Sequence, residues 1–200
     1  MKTLKVAIVG FGFMGRTHYG AWKKTPRAEV TAICDSNLSQ LSRKVAGNGK
    51  DADLTTDFSG VAVVESFDEL LERGGFDVAD LTLPTPLHPA LVKKALAAGC
   101  HVLCEKPMAL DVKSCDAMIA AAAKSKGKLM IAQCLRFAPA VKYLHDVVVS
   151  GKYGKVVGAS FDRASMLPGW GGGKSWFLDE GSSVTTIERN GGGLMGVEEG

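Results

Sequence analysis

A short apolar segment that ends in closely spaced glycines constrains the fold of this chain more than any other feature. Residues 4–9 are mostly apolar and predict a buried parallel strand. Three glycines follow it, at Gly10, Gly12 and Gly15, and a helix-compatible stretch comes next. A second apolar run over 30–34 ends on Asp35, twenty residues after Gly15. Strand, glycine turn, helix, strand and acid in this order predict a dinucleotide-binding unit.

Each part of this pattern has a physical task. Gly10 permits the tight turn, Gly12 lets the backbone approach a pyrophosphate, and Gly15 lets the helix pack closely. The helix N-terminus, next to Phe13 and Met14, would present unpaired N–H groups and a positive dipole end to the phosphates. The alternative is a glycine-rich turn in an α/β protein that binds no nucleotide.

Asp35 is the acid of this pattern and would accept hydrogen bonds from the ribose hydroxyls. The carboxylate would repel a 2′-phosphate, and Ser36 and Asn37 supply no positive charge to offset it. The sequence therefore predicts NAD as the cofactor, with NADP as the alternative.

Strands and helices alternate over the first two-thirds of the chain and predict an α/β fold with a doubly wound parallel sheet. The predicted strands are 4–9, 29–34, 61–64, 77–83, 101–104 and 129–133, and the predicted helices are 14–24, 37–46, 67–73, 87–98 and 111–126. The regular alternation of strands and helices stops near residue 134. A predicted helix over 139–150 and a predicted strand over 155–164 then indicate the start of an α+β region. We therefore expect a dinucleotide-binding domain over 1–133 and a partial second domain over 134–200, with an irregular tail over 180–200.

Composition narrows the class of partner. The chain carries 24 basic and 21 acidic residues with no dense basic block, which does not indicate nucleic acid. No segment approaches the roughly 20 apolar residues that cross a bilayer, and the first apolar run is too short for a signal peptide. We expect a cytoplasmic protein that acts on a small molecule. The five cysteines have no metal-ligand or redox spacing and predict free thiols.

Two loops at predicted strand ends carry candidate site residues. The first holds Thr82, Pro84, Thr85, Pro86 and His88, and its prolines keep it extended at the edge where cofactors bind. His88 would either face the site or cap the following helix. The second loop begins with Glu105 and Lys106, which would either take part in chemistry at this edge or simply be solvated.

Several segments together resemble the Gfo/Idh/MocA family of NAD(P)-dependent oxidoreductases. They are the glycine turn, the Thr-Pro-Leu-His loop over 85–88, the segment GCHVLCEKPMAL over 99–110, Arg136-Phe137-Ala138-Pro139, and the Gly-Lys-Val turn over 154–156. Trp170 and Trp176 lie where sugar- and polyol-acting members often carry tryptophans. The resemblance covers about residues 4–178.

The resemblance implies a Rossmann domain followed by an α/β domain whose open sheet holds substrate and often mediates homo-oligomers. It implies oxidation of a secondary alcohol on a sugar, polyol or inositol-like substrate. Lys106 would be the catalytic residue beside the nicotinamide, stabilising an alkoxide or passing a proton. Glu105 would help to position the cofactor ribose and the loop, and Arg136 would lie near the cofactor or substrate. Trp170 and Trp176 would line the substrate site. The Lys106–Pro107 bond is often cis in such relatives.

The tail departs from the family pattern. Relatives carry an Asp and a His four residues apart after a paired glycine, but residues 194–200 contain neither, and no histidine follows His145. We expect a truncation or a shifted reading frame from about Gly181. Such a change would lower the activity and would put homo-oligomer formation in doubt. Two other functions stay open: an NAD-dependent glycoside hydrolase of the same superfamily, and a non-catalytic dinucleotide-binding fragment.

Overall fold

Six strands alternate with helices along the computed structural model, which describes residues 2–42 and 58–162. The strands are β1 Leu4–Val9, β2 Ala28–Cys34, β3 Ala62–Val64, β4 Val78–Leu81, β5 His101–Cys104 and β6 Leu129–Ile131. The helices are α1 Phe13–Lys24, α2 Ser39–Ser42, α3 Phe67–Arg73, α4 His88–Ala97, α5 Val112–Lys124 and α6 Pro139–Ser150. Short 3₁₀ turns occupy Thr85–Leu87 and Cys134–Phe137.

All strand pairings are parallel, and the strands lie in the order β3-β2-β1-β4-β5-β6. This is the doubly wound Rossmann order, so the predicted fold class is confirmed. The chain leaves β1 toward β2 on one side, whereas β4 lies on its other side. The carboxyl ends of β1 and β4 therefore flank the crevice where this fold binds ligands.

The two faces of β1 supply two separate hydrophobic clusters, because successive side chains of a strand point to opposite faces. Ala7 and Val9 belong to a cluster that includes buried residues of α3, α4 and α5. Val6 and Ile8 belong to a second cluster, completed by Phe11 and Tyr19. Both faces of the central strand are thus covered, which fits its continuous apolar sequence. In the part of the chain that the structure describes, no helix is long and apolar enough to span a bilayer.

Beyond residue 133 the structure agrees with one of the two predicted elements and differs from the other. Helix α6 matches the prediction and ends at Gly151, whose φ of 63° is the left-handed conformation common after a helix. The strand predicted over 155–164 is wrong for its described part, since 155–162 contain no strand. Val157 and Phe161 are 101% and 81% exposed, so this alternating segment has neither a sheet neighbour nor a core to pack on within residues 2–42 and 58–162. The predictions for Trp170, Trp176 and the tail lie outside the described residues.

Candidate functional site

A tight turn follows β1 at the carboxyl edge of the sheet. Gly10 has a φ of 90°, and a Cβ there would lie 2.8 Å from the Thr82 carbonyl oxygen, so only glycine fits. The Thr82 hydroxyl donates a hydrogen bond to the Gly10 carbonyl at 2.6 Å. A Cβ on Gly12 would meet no atom within 4 Å, so open space lies beside this backbone. The turn therefore has the shape that a pyrophosphate requires.

Helix α1 starts directly after this turn and leaves its first N–H groups available. Its N-cap is Gly12, so no side chain caps the helix, and its first turn contains no acidic residue. Lys23 and Lys24 lie in the last turn, where positive charge complements the helix dipole. Phe13 and Met14 are half-buried at the start of the helix. This end of α1 suits an anion.

Asp35 lies at the end of β2, beside the same turn. Its Oδ2 accepts a hydrogen bond from the Phe11 N–H at 2.6 Å, and its Oδ1 accepts one from the Asn37 N–H at 2.8 Å. The two bonds fix the carboxylate next to the glycine turn. Because each carboxylate oxygen can accept more than one hydrogen bond, ribose hydroxyls can still be bound.

The loop after β4 is held in place by a buried histidine. Pro84 and Pro86 are exposed, whereas Thr85 and His88 are buried. The His88 ring nitrogens lie 2.9 Å from the Pro107 carbonyl oxygen and 2.8 Å from that of Leu83. The His88 side chain thus ties this loop to the one after β5.

Glu105 and Lys106 follow β5 at the same edge. The Glu105 N–H donates to the Leu81 carbonyl at 2.9 Å, which extends the sheet pairing by one residue. Glu105 is buried and Lys106 is half-buried. The Lys106–Pro107 peptide bond is cis. Among the described residues, no carboxylate forms an ion pair with Lys106 Nζ, so the ammonium group is available to a bound ligand.

A buried network behind Lys106 was not predicted from the sequence. His18, on α1, places Nδ1 2.9 Å from Asp80 Oδ1 and Nε2 2.9 Å from Glu105 Oε1. The Trp22 indole N–H donates to Asp80 Oδ2 at 2.6 Å. Burial alone would lower the pKa of His18, but the hydrogen bonds and negative charges of Asp80 and Glu105 outweigh it and raise the pKa from 6.5 to about 10. His18 is therefore an imidazolium at neutral pH.

Because His18 is protonated in the folded protein, we expect the free energy of unfolding to fall in mildly alkaline solution. Since the folded-state pKa is raised, the stabilisation is complete below pH 6.5 and is lost as the pH rises toward 10. Between pH 6.5 and 8.5 the contribution of His18 to the free energy of unfolding should fall by about 2 kcal/mol. Urea unfolding across that range measures the slope. His18→Asn should flatten it, whereas His145→Asn, at an exposed histidine of α6, should leave it unchanged.

The structure brings most of the predicted residues to one edge of the sheet. Gly10, Asp35, Thr82 and Lys106 all follow strand ends there. Arg136 lies in the 3₁₀ turn after β6 and is exposed. Within residues 2–42 and 58–162, no group of three or more His, Cys, Asp or Glu side chains is arranged to hold a metal ion.

The chain matches the model of an oxidoreductase family with an NAD-binding Rossmann fold over residues 4–133. It is 29% identical over 154 residues to a D-apiose dehydrogenase of Paraburkholderia graminis, covering 77% of this chain and 38% of that protein. It is also 29% identical over 157 residues to a 2,7-anhydro-N-acetylneuraminate hydratase of Mediterraneibacter gnavus, covering 78% and 38%.

A solved structure is similar to the same part of the chain. It is an oxidoreductase from Agrobacterium radiobacter in complex with NAD⁺, L-tartaric acid and magnesium. The TM-score is 0.66 at 28% sequence identity, and the match covers 77% of this chain and 42% of that one. The chain thus spans about two-fifths of the length of these relatives.

Proposed function

Because the chain belongs to the Gfo/Idh/MocA oxidoreductase family, with its NAD-binding Rossmann fold, we propose that it binds NAD at the carboxyl edge of the sheet. We further propose hydride transfer between the nicotinamide and a secondary alcohol of a sugar, polyol or inositol-like substrate. The observation that carries both proposals is the common placement of the open glycine turn, Asp35 and the unpaired Lys106 ammonium group. The D-apiose dehydrogenase among the relatives supports this substrate class.

In this proposal the backbone and side-chain groups of the site have separate roles in binding and in catalysis. The N–H groups of the first turn of α1 bind the pyrophosphate, and Asp35 accepts hydrogen bonds from the ribose. In this proposal the Lys106 ammonium group donates a hydrogen bond to the substrate hydroxyl oxygen and stabilises negative charge there. The nicotinamide, when bound, supplies the hydride acceptor. Arg136, Trp170 and Trp176 are proposed to border the cofactor and substrate from the region after residue 134.

A redox-neutral reaction is the second candidate. It is favoured by the relative named as a hydratase, since hydration of a substrate involves no net oxidation. An NAD-dependent glycoside hydrolase would show the same lack of net redox change. These alternatives use the same cofactor site, so cofactor binding alone does not separate them from a dehydrogenase.

The experiment that tests the proposal has two steps. Titration of the chain with NADH and NADPH, followed by fluorescence, should show binding with a preference for NADH. A panel of sugars, polyols and inositols with NAD should then produce absorbance at 340 nm. Consumption of substrate without this absorbance would favour redox-neutral chemistry, and binding without any turnover would leave only the dinucleotide-binding function. Absence of NADH binding by folded protein would refute the proposal.

Asp35 gives a separate prediction about cofactor choice. Asp35→Asn keeps the size of the side chain but removes the charge that opposes a 2′-phosphate. We expect the ratio of NADPH to NADH dissociation constants to fall by about tenfold, equivalent to about 1.4 kcal/mol. Glu29→Gln, at an exposed acid near the opposite end of β2, is the control and should leave the ratio unchanged. An unchanged ratio in the Asp35 variant would contradict the assignment of this residue.

Domain organisation and location are proposed on the same basis. We propose that residues 1–133 form the cofactor domain and that 134–200 begin the substrate region. The five cysteines are all free thiols, which is typical of proteins in reducing compartments and supports a cytoplasmic location.

A further inference from the structure

The buried network of His18, Asp80, Glu105 and Trp22 connects two parts of the site that are far apart in the sequence. Its central residue, His18, lies on α1, one turn after Gly15. Glu105 directly precedes Lys106 on the other side of the crevice. The function proposed above uses the start of α1 and Lys106, but it gives no role to His18, Asp80 or Trp22.

One end of the network is a fixed anchor. Asp80 is completely buried in the middle of β4 and pairs in register with Ile8 of β1 and Leu103 of β5. His18 Nδ1 and the Trp22 indole N–H both reach its carboxylate. A buried carboxylate requires such partners, because an uncompensated charge in the protein interior is strongly unfavourable. Asp80 thereby holds the His18 ring in one orientation.

The other end of the network reaches the backbone of Lys106. Glu105 Oε1 lies 2.9 Å from His18 Nε2, and Glu105 Oε2 accepts a hydrogen bond from the Lys106 N–H at 3.0 Å. Both oxygens of one carboxylate are thus engaged, one by the histidine and one by the amide of the next residue. The His18 ring and the Lys106 amide are therefore linked through a single carboxylate.

We propose that His18 is a positioning residue: its ring, held by Asp80, fixes the Glu105 carboxylate and through it the backbone of Lys106 at the cofactor edge of the sheet. The proposal rests on the proposed function only in giving Lys106 a task there. The raised pKa of His18 is consistent with this geometry, because an imidazolium donates from both ring nitrogens at neutral pH. Among the residues that the structure describes, the titratable groups that contact the ring are Asp80 from β4 and Glu105 after β5.

Two substitutions separate positioning from a purely structural ion pair. The amide nitrogen of asparagine occupies about the place of histidine Nδ1, whereas that of glutamine occupies about the place of Nε2. His18→Asn therefore keeps the donor to Asp80 and removes the donor to Glu105. His18→Gln does the reverse. Both variants lack the imidazolium charge, so they differ only in which carboxylate keeps a donor. If His18 served only as a hydrogen-bond donor to the buried Asp80, His18→Gln would be the more damaging change everywhere in the protein.

Amide hydrogen exchange, followed by NMR, distinguishes the two roles without any assay of activity. We expect the Lys106 amide of His18→Asn to exchange about tenfold faster than in the wild type, as for loss of one charge-assisted hydrogen bond. In His18→Gln it should stay within about threefold of the wild type after correction for global stability. The amides of Ala7 and Ile8 in β1 report that global stability. His145→Asn is the matched control and should change neither.

A second variant keeps the test decisive if His18→Asn does not fold. Glu105→Gln leaves the bond between His18 and Asp80 intact and should also speed exchange at Lys106 by about tenfold. Exchange at Lys106 that is unchanged in His18→Asn, or that rises only in parallel with β1, would overturn the proposal. NADH titration of the wild type is run beside these measurements. Its failure would refute the proposed function, whereas the exchange data decide the positioning role independently.

Discussion

Replacement of Gly15 by alanine is expected to destabilise the protein and to abolish cofactor binding, although it adds a single methyl group. A Cβ at this position would lie 2.1 Å from the Gly10 carbonyl oxygen. That atom belongs to the backbone and also accepts the Thr82 hydroxyl, so it cannot move without opening the turn after β1. We expect a loss of about 3 kcal/mol in the free energy of unfolding, at the upper end for an overpacked site. Urea unfolding and NADH titration measure the two effects.

Gly20 offers a matched control on the same helix. A Cβ there would meet no atom within 4 Å, and alanine is the better helix former. Gly20→Ala should therefore stabilise the protein by about 0.5–1 kcal/mol and leave NADH binding unchanged. The two substitutions are chemically identical, and opposite signs are expected. Equal effects would show that Gly15 is a helix position like any other, with no special contact to the turn.

The placement of the glycine turn and Asp35 was predictable because its signals are local. Gly10, Gly12, Gly15 and Asp35 follow one another within a strand, a turn, a helix and a strand, so each residue's position in the fold follows from its spacing. The structure gives Gly10 the positive φ that the tight turn requires, and it places Asp35 beside Phe11. The alternation of strands and helices likewise fixed the fold class, since parallel strands need a crossover between them.

The buried network was missed because its members are far apart in the chain. His18 and Asp80 are separated by 62 residues, and His18 and Glu105 by 87. One signal was nevertheless present: Asp80 interrupts the otherwise apolar segment of β4. A carboxylate in a strand that is buried on both faces must find a cationic or hydrogen-bonding partner. The sequence could therefore have revealed that a partner exists, but not which residue it is.

The segment 155–162 shows the opposite error. Its β-branched and aromatic residues favour a strand locally, but β-propensity depends on a surface to pack against. Val157 and Phe161 have no such surface among the described residues and are largely exposed. A strand also needs a neighbour for its backbone hydrogen bonds, and local sequence carries no information about whether one is present.

Lys106→Met is expected to separate cofactor binding from turnover. Methionine keeps an unbranched, flexible side chain but removes the ammonium group that would stabilise charge on the substrate oxygen. We expect a reduction of about 10²–10⁴-fold in kcat for whichever sugar or polyol the wild type oxidises. The dissociation constant for NADH should change by less than about threefold, since we propose that binding depends on the glycine turn and Asp35. Stopped or continuous assays at 340 nm and fluorescence titration give the two quantities.

Lys93→Met is the control for this comparison, because Lys93 is an exposed lysine of α4. It should retain wild-type turnover and wild-type NADH binding, which would show that loss of one positive charge is not itself the cause. Turnover by Lys106→Met within about fivefold of the wild type would remove this lysine from the reaction. If the wild-type chain binds NADH but oxidises no member of the panel, the predicted role of Lys106 in turnover is also contradicted. Lys106 would then belong to a binding site alone. A parallel loss of NADH binding and turnover in Lys106→Met would instead indicate that the ammonium group holds the cofactor. The role of Lys106 is therefore decided by the ratio of the two effects and not by the loss of activity alone.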